Sequence, residues 1–147
     1  MKGFTLLEIL ISIAVISVIS VLVVSGFSSF RESAQLNEAQ SQILGVLRDA
    51  RNRTLSSEKN TQYGVHFETS QIVLFSGSSY SFGLTSNEPH LFPPITRISS
   101  ISLGGPVDIV FARLSGSVSA SGTITIESIS NTSKTKTITI ISSGIAE

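Results

Sequence analysis

At 147 residues the chain has room for one domain of ordinary size. Only 14% of its residues are charged, against about 25% in an average soluble domain, and the formal net charge is zero, which gives no support to a strongly electrostatic partner such as duplex DNA. Cysteine is absent, which excludes a disulfide, a thiolate nucleophile and any cysteine-based metal site.

The first predicted element is apolar. From Phe4 to Val24 the only ionisable side chain is Glu8. A helix of that length crosses a hydrocarbon core of about 30 Å. Lys2 precedes the run and no basic residue follows until Arg31, so the positive-inside tendency places the N-terminus in the cytoplasm and the remainder outside. The run exceeds the usual apolar core of a secretory signal, and Ser25-Gly26-Phe27 is a poor small-x-small cleavage site. Ser25-Gly26 is a weak point for a helix, since glycine costs about 1 kcal/mol there relative to alanine. Beyond it, Leu36, Ala39, Ile43, Val46, Leu47, Ala50 and Leu55 recur at helical spacing. Glu32, Glu38, Gln42, Asp49 and Arg53 occupy the opposite face, so this half is predicted to be amphipathic.

After Ser57 the period falls to two. Tyr63, Val65 and Phe67 alternate with polar residues or glycine, Ile72 to Phe75 is a short apolar run, and Tyr80 and Phe82 alternate again. Asn87-Glu88-Pro89 and Pro93-Pro94 predict a loop over Gly83 to Pro94. Further strands are predicted over Ile95 to Leu103, ended by Gly104-Gly105-Pro106, over Val107 to Ala112, and around Ile124/Ile126 and Ile138/Ile140/Ile141, the last two flanking the turn Asn131-Thr132-Ser133. Six or seven short strands are expected, mostly antiparallel because their connections are short. A marginal amphipathic helix and a small sheet with one apolar face bury each other by packing together. The expected fold is therefore α+β: a long N-terminal helix, transmembrane and then amphipathic, on a small antiparallel β-sheet domain.

One short string carries chemistry: Lys2-Gly3-Phe4-Thr5-Leu6-Leu7-Glu8, directly before the apolar run. A carboxylate at the centre of a membrane helix costs about 2.5–3.5 kcal/mol, so intramembrane acids generally have partners. Glu8 lies about one turn in, where an acid also suits the helix macrodipole. The string resembles the class III signal of type IV prepilins and type II secretion pseudopilins, a short basic leader ending in glycine before Phe-Thr-Leu-x-Glu and an apolar helix. The resemblance implies cleavage by a prepilin peptidase between Gly3 and Phe4, N-methylation of Phe4, and pairing of Glu8 with the N-terminal amine of a neighbouring subunit. An ammonium and a carboxylate at that depth are each costly alone and much less so together. It also implies other pilin or pseudopilin subunits, an inner-membrane assembly platform and membrane lipid as partners. The bacterial inner membrane is the implied location, with a single pass, followed by a periplasmic or extracellular filament.

The C-terminal part is similar to the pattern of GspH/FimT-type minor pseudopilins in Phe111-Ala112-Arg113-Leu114-Ser115-Gly116, Gly122 to Glu127, and Ile140 to Ile145. That likeness implies a priming or tip subunit. The proline near Ser25-Gly26 and the C-terminal cysteine pair of many major pilins are missing. Asp49 and Asp108 are the only aspartates, so the oxygen-rich calcium site of a major pseudopilin is not expected; neither is any other metal or cofactor.

Other candidates read as surface features. His66 alternates with Val65 and Phe67 and is expected on a solvent face; His90 is expected in the Pro-flanked loop. His66, His90, Asp108 and the many serines permit a triad to be drawn, but no G-x-S-x-G elbow supports one, and an enzyme is not expected. Arg48, Arg51, Arg53 and Lys59 suit a helix C-terminus, and Lys134 and Lys136 a hairpin turn; with Glu38, Asp49 and Glu58 nearby, nucleic acid is not an expected partner.

The expected organisation is a leader over 1–3, a transmembrane and polymerisation segment over 4–27, an amphipathic helical half over 28–57 and a globular β-domain over 58–147. The expected function is a minor pilin or pseudopilin of a type II secretion or type IV pilus filament. The alternatives are a single-pass anchored binding domain that never polymerises, retaining Met1 to Gly3, and a FimT-like DNA-uptake pilin.

Overall fold

The computed structural model describes residues 3–105 and 107–147, leaving aside the side chains of Leu22, Val24 and Ser25. The leader residues Met1 and Lys2 and the turn residue Pro106 lie outside the described residues. Two compact units divide the chain, Met1–Ala34 and Gln35–Glu147. Helix α1 (Leu6–Leu55) contributes to both and passes through Ser25-Gly26 without a break. A single glycine lowers helix stability but does not remove a backbone hydrogen bond, as proline would.

In the first unit every described side chain from Phe4 to Phe30 is exposed. The hydroxyls within the apolar stretch are satisfied by the helix itself. Ser12 donates to the Glu8 carbonyl at 2.7 Å, Ser17 to that of Ile13 at 2.8 Å, and Ser20 to that of Ile16 at 2.8 Å. Such i−4 bonds let serine sit in an environment without water.

In the second unit α1 buries Leu36, Ala39, Ile43, Val46, Leu47 and Ala50, as the periodicity predicts. The last position differs: Thr54 is fully buried and Leu55 is 38% exposed. Five turns after Leu36 the buried face falls on residue 54, and the polar side chain there is accommodated by two bonds. The Thr54 hydroxyl donates to the Ala50 carbonyl at 2.8 Å and accepts the Tyr63 N–H at 2.9 Å, tying the helix end to the first strand.

The strands are β1 (Tyr63–Phe67), β2 (Gln71–Ser76), β3 (Glu88–Leu91), β4 (Thr96–Leu103), β5 (Asp108–Val110), β6 (Gly122–Ser128) and β7 (Thr135–Ile140). They form two sheets, ordered β3-β2-β1-β5 and β4-β6-β7, with every pairing antiparallel. One core joins the helix stripe to Tyr63, Val65, Phe67, Ile72 and Leu74 of the first sheet and to Ile98, Ile124, Ile126, Ile138 and Ile140 of the second. The alternating burial of β6 follows the pleat, which points successive side chains to opposite faces.

Two further sequence expectations change in the β-strands. The predicted loop over Gly83 to Pro94 contains β3, and His90 stands on it opposite Ile72. Pro89 is tolerated because β3 is an edge strand, where one row of backbone N–H groups has no ladder to join. The alternation of Tyr80 and Phe82 does not make a strand; both lie in the β2–β3 connection, Tyr80 at its start and Phe82 88% exposed. Arg53 ties the start of β3 back to the helix: its guanidinium contacts Glu88 at 2.6 and 3.2 Å and Asp49 at 2.9 Å. These carboxylates hold the Arg53 guanidinium above its ordinary range.

Candidate functional site

The start of α1 is defined by its neighbours in sequence. Gly3, Phe4 and Thr5 are non-helical, and α1 begins at Leu6. Thr5 caps it: its carbonyl accepts the N–H groups of Glu8 and Ile9 at 3.1 and 3.3 Å, and its hydroxyl accepts Glu8 N–H at 3.3 Å. Thr5-Leu6-Leu7-Glu8 has the Thr-x-x-Glu spacing of a capping box, which accounts for the helix starting here. Sequence reasoning gave Thr5 no role, although this spacing was legible as a cap.

The capped start leaves the Gly3–Phe4 peptide bond outside the helix, in exposed chain. Nothing lies within 4 Å of where a side chain at Gly3 would begin, and Phe4 is 81% exposed. A peptidase requires an accessible, non-helical peptide, and this bond has both properties. Glu8 sits in the first turn and is exposed, with no ion-pair partner among the described residues. After it the apolar surface begins: Ile9, Leu10, Ile11, Ile13, Val15, Ile16, Val18 and Ile19 are all more than half exposed. These residues point to every side of the helix. A helix apolar all round requires lipid or other helices around it. Gly3, Phe4, Glu8 and the apolar stretch are thus brought together by sequence proximity and one helix cap, and no other part of the fold joins them.

A second constellation is assembled by the fold. His66 on β1 lies across from Asp108 on β5, and their side chains meet at Nδ1–Oδ1, 2.5 Å. On its other side Nε2 faces Glu68 Oε1 at 3.8 Å. The Tyr80 ring stacks on the imidazole with centroids 3.9 Å apart and planes 6° from parallel. His66 is therefore half-buried and held on three sides, where the alternation placed it simply on a solvent face. The sequence carried no signal for this, because 42 residues separate the His–Asp pair and β5 supplies the aspartate. A histidine oriented by a carboxylate has the form of a general base. Its free nitrogen, however, faces a carboxylate, which is not a nucleophile of the serine or cysteine kind. No group of three metal-ligating side chains occurs among the described residues.

The basic residues of the helix end separate by partner. Arg53 is engaged by Asp49 and Glu88, and Arg97, elsewhere, by Glu127. Arg51 donates from Nε to the Gly116 carbonyl at 3.3 Å. Lys59 lies in a short 3-10 turn, Glu58–Asn60, and Lys136 on β7.

In comparison with known families, residues 1–24 fit the prokaryotic N-terminal methylation motif. No curated protein and no solved structure matches the chain. The matched residues take in the Gly3–Phe4 bond, the Thr5 cap, Glu8 and most of the exposed apolar stretch.

Proposed function

The chain carries the class III signal of a type IV pilin-like prepilin, and from that premise we propose that it is a minor pilin or pseudopilin, cut between Gly3 and Phe4, N-methylated on Phe4 and assembled through its N-terminal helix into a type II secretion or type IV pilus filament. The carrying observation is the helix that starts on a Thr5 cap just after an accessible Gly3–Phe4 bond and then exposes apolar side chains on every face. In the membrane that surface meets lipid; in a filament it meets equivalent helices, and the same residues serve both states. Packing of small and β-branched side chains, not a hydrophobic drive, then selects the neighbour.

Cleavage creates an ammonium on Phe4, about one turn from Glu8. Glu8 accepts the ammonium of a neighbouring subunit and so fixes the register between helices. A buried pair of this kind gives specificity more than stability, because an unpaired partner is costly at that depth. Methylation retains the charge. The minor-subunit assignment is supported by the turn from Phe111 to Gly116, the Thr/Ile strand β6 and the Gly144 step after β7, each in the order of the GspH/FimT-type pattern. The His66–Asp108 pair we assign a structural role, holding β5 and the start of the β2–β3 connection against β1.

Intact mass and N-terminal sequencing of the protein from its native membrane test the reading. A chain that begins at methylated Phe4 is expected. A chain that retains Met1-Lys2-Gly3 leaves a membrane-anchored β-domain and removes the filament mechanism. Glu8→Leu is expected to preserve membrane insertion and impair assembly, and normal incorporation of that variant would sink the role of Glu8.

A further inference from the structure

A cavity of about 290 Å³ opens beside the last turns of α1, within Gln35–Glu147. Leu47, Ile145 and Ala146 form an apolar wall; Arg48, Arg51 and Asn52 supply donors. Neither Arg48 nor Arg51 has an acid within ion-pair distance among the described residues, whereas Arg53 and Arg97 both do. Two guanidinium groups three residues apart share one helix face and repel each other until an anion joins them.

Arg51 is held in place by two glycines that the chain brings together from distant turns. Its Nε donates to the Gly116 carbonyl at 3.3 Å. Gly116 and Gly144 are buried and have φ of +64° and +78°, a conformation that favours glycine. A Cβ on Gly116 would stand 3.0 Å from Arg51 Nε and 3.3 Å from its Cγ. A Cβ on Gly144 would run into the Gly116 carbonyl and stand 3.3 Å from the same Nε. The glycine pair thus leaves a slot that the arginine stem fills, with Leu55 Cδ1 also 3.3 Å from a Cβ on Gly116. With Nε engaged, the two terminal nitrogens of Arg51 remain for a ligand, and their fork matches a carboxylate.

We propose that this cavity receives a carboxylate side chain from a segment of another polypeptide, with Arg51 and Arg48 as donors and the Leu47–Ile145–Ala146 wall taking an apolar neighbour of that acid. The chemistry selects a single carboxylate over a polyanion. The chain is neutral overall, Asp49 and Glu147 flank the site in sequence, and half of the lining is apolar, so no extended basic field is present to follow a phosphate backbone. The site is independent of N-terminal processing and stands whichever filament the chain joins.

The test uses the full chain in detergent micelles and reads the Arg51 Nε–Hε NMR signal, identified by its loss in Arg51→Lys. The probes are a capped Ala-Glu-Leu peptide, its Ala-Gln-Leu twin and inorganic phosphate. The glutamate peptide is expected to shift the signal saturably and to bind roughly tenfold or more tighter than the glutamine twin. Arg48→Gln, at an exposed position that cannot disturb the core, is expected to weaken it several-fold, and added salt to weaken it further. Equal binding of the two peptides, no shift with either, saturation by phosphate alone, or an Arg48→Gln variant that binds as well as the parent overturns the proposal.

Discussion

Two stretches of one helix follow opposite rules. From Phe4 to Phe30 every described side chain is exposed, while between Leu36 and Thr54 the chain buries a residue every three or four positions. Ile13 and Ile43 are the same residue in the same helix, one 57% exposed and the other fully buried. Helix propensity does not distinguish them. What differs is the rest of the circumference: the first stretch exposes apolar residues on all faces, and the second has polar residues opposite its stripe. Burial is therefore supplied from within the chain to the second stretch and not to the first.

The sharpest way to break this comparison is to place the same charge in both stretches. Ile43→Asp buries an unpaired carboxylate and is expected to cost about 4 kcal/mol or more, enough to unfold the β-bearing unit by circular dichroism. Ile13→Asp is expected to leave that unit folded and to act on membrane retention, read by fractionation. A protein that unfolds equally in both cases would erase the distinction. Truncation gives a milder form: Leu47→Ala is expected to lose about 2–5 kcal/mol in denaturant unfolding, and Ile16→Ala close to nothing.

A smaller effect probes where the buried stripe ends. Thr54→Val keeps the shape and removes the acceptor of the Tyr63 N–H, so a loss of about 1–3 kcal/mol is expected. An unchanged midpoint would show that water reaches that N–H. The smallest effect belongs to the buried phenol of Tyr63, beside the carboxylate of Glu58. Burial first, and then the negative charge of Glu58, push the Tyr63 phenol above its ordinary value. The folded state then holds the proton longer than the unfolded chain, so the stability this contributes is complete below the ordinary phenol pKa of about 10 and is lost as pH rises above it. Tyr63→Phe is expected to change neutral-pH stability by less than about 1 kcal/mol and to flatten that alkaline decline in thermal melts.

The elements and the N-terminal signal were legible for a common reason: each depends on neighbours within a few residues. The apolar run, the stripe from Leu36 to Ala50, most strands and the Gly3-Phe4-Thr5-Leu6-Leu7-Glu8 string are local patterns. The errors share a cause as well. Asn87-Glu88-Pro89 and Pro93-Pro94 are breakers that predict a loop, yet proline is accepted in an edge strand, and whether β3 is central or at an edge is settled only by the sheet order. An apolar leucine at 55 predicts the end of the stripe there, yet the 3.6-residue pitch delivers Thr54 to the core once Tyr63 is placed to donate to it.

Taken by itself, the sequence determined that the chain begins with a membrane-length helix carrying one acid, that this helix becomes amphipathic, and that short antiparallel strands follow, since periodicity and turn residues encode those features locally. Tertiary structure alone decided the division into two sheets, the meeting of His66 with Asp108, and the slot that Gly116 and Gly144 make for Arg51. The last two join residues separated by 28 to 93 positions, and only the closure of the core brings such residues within the few ångströms over which hydrogen bonds and packing act.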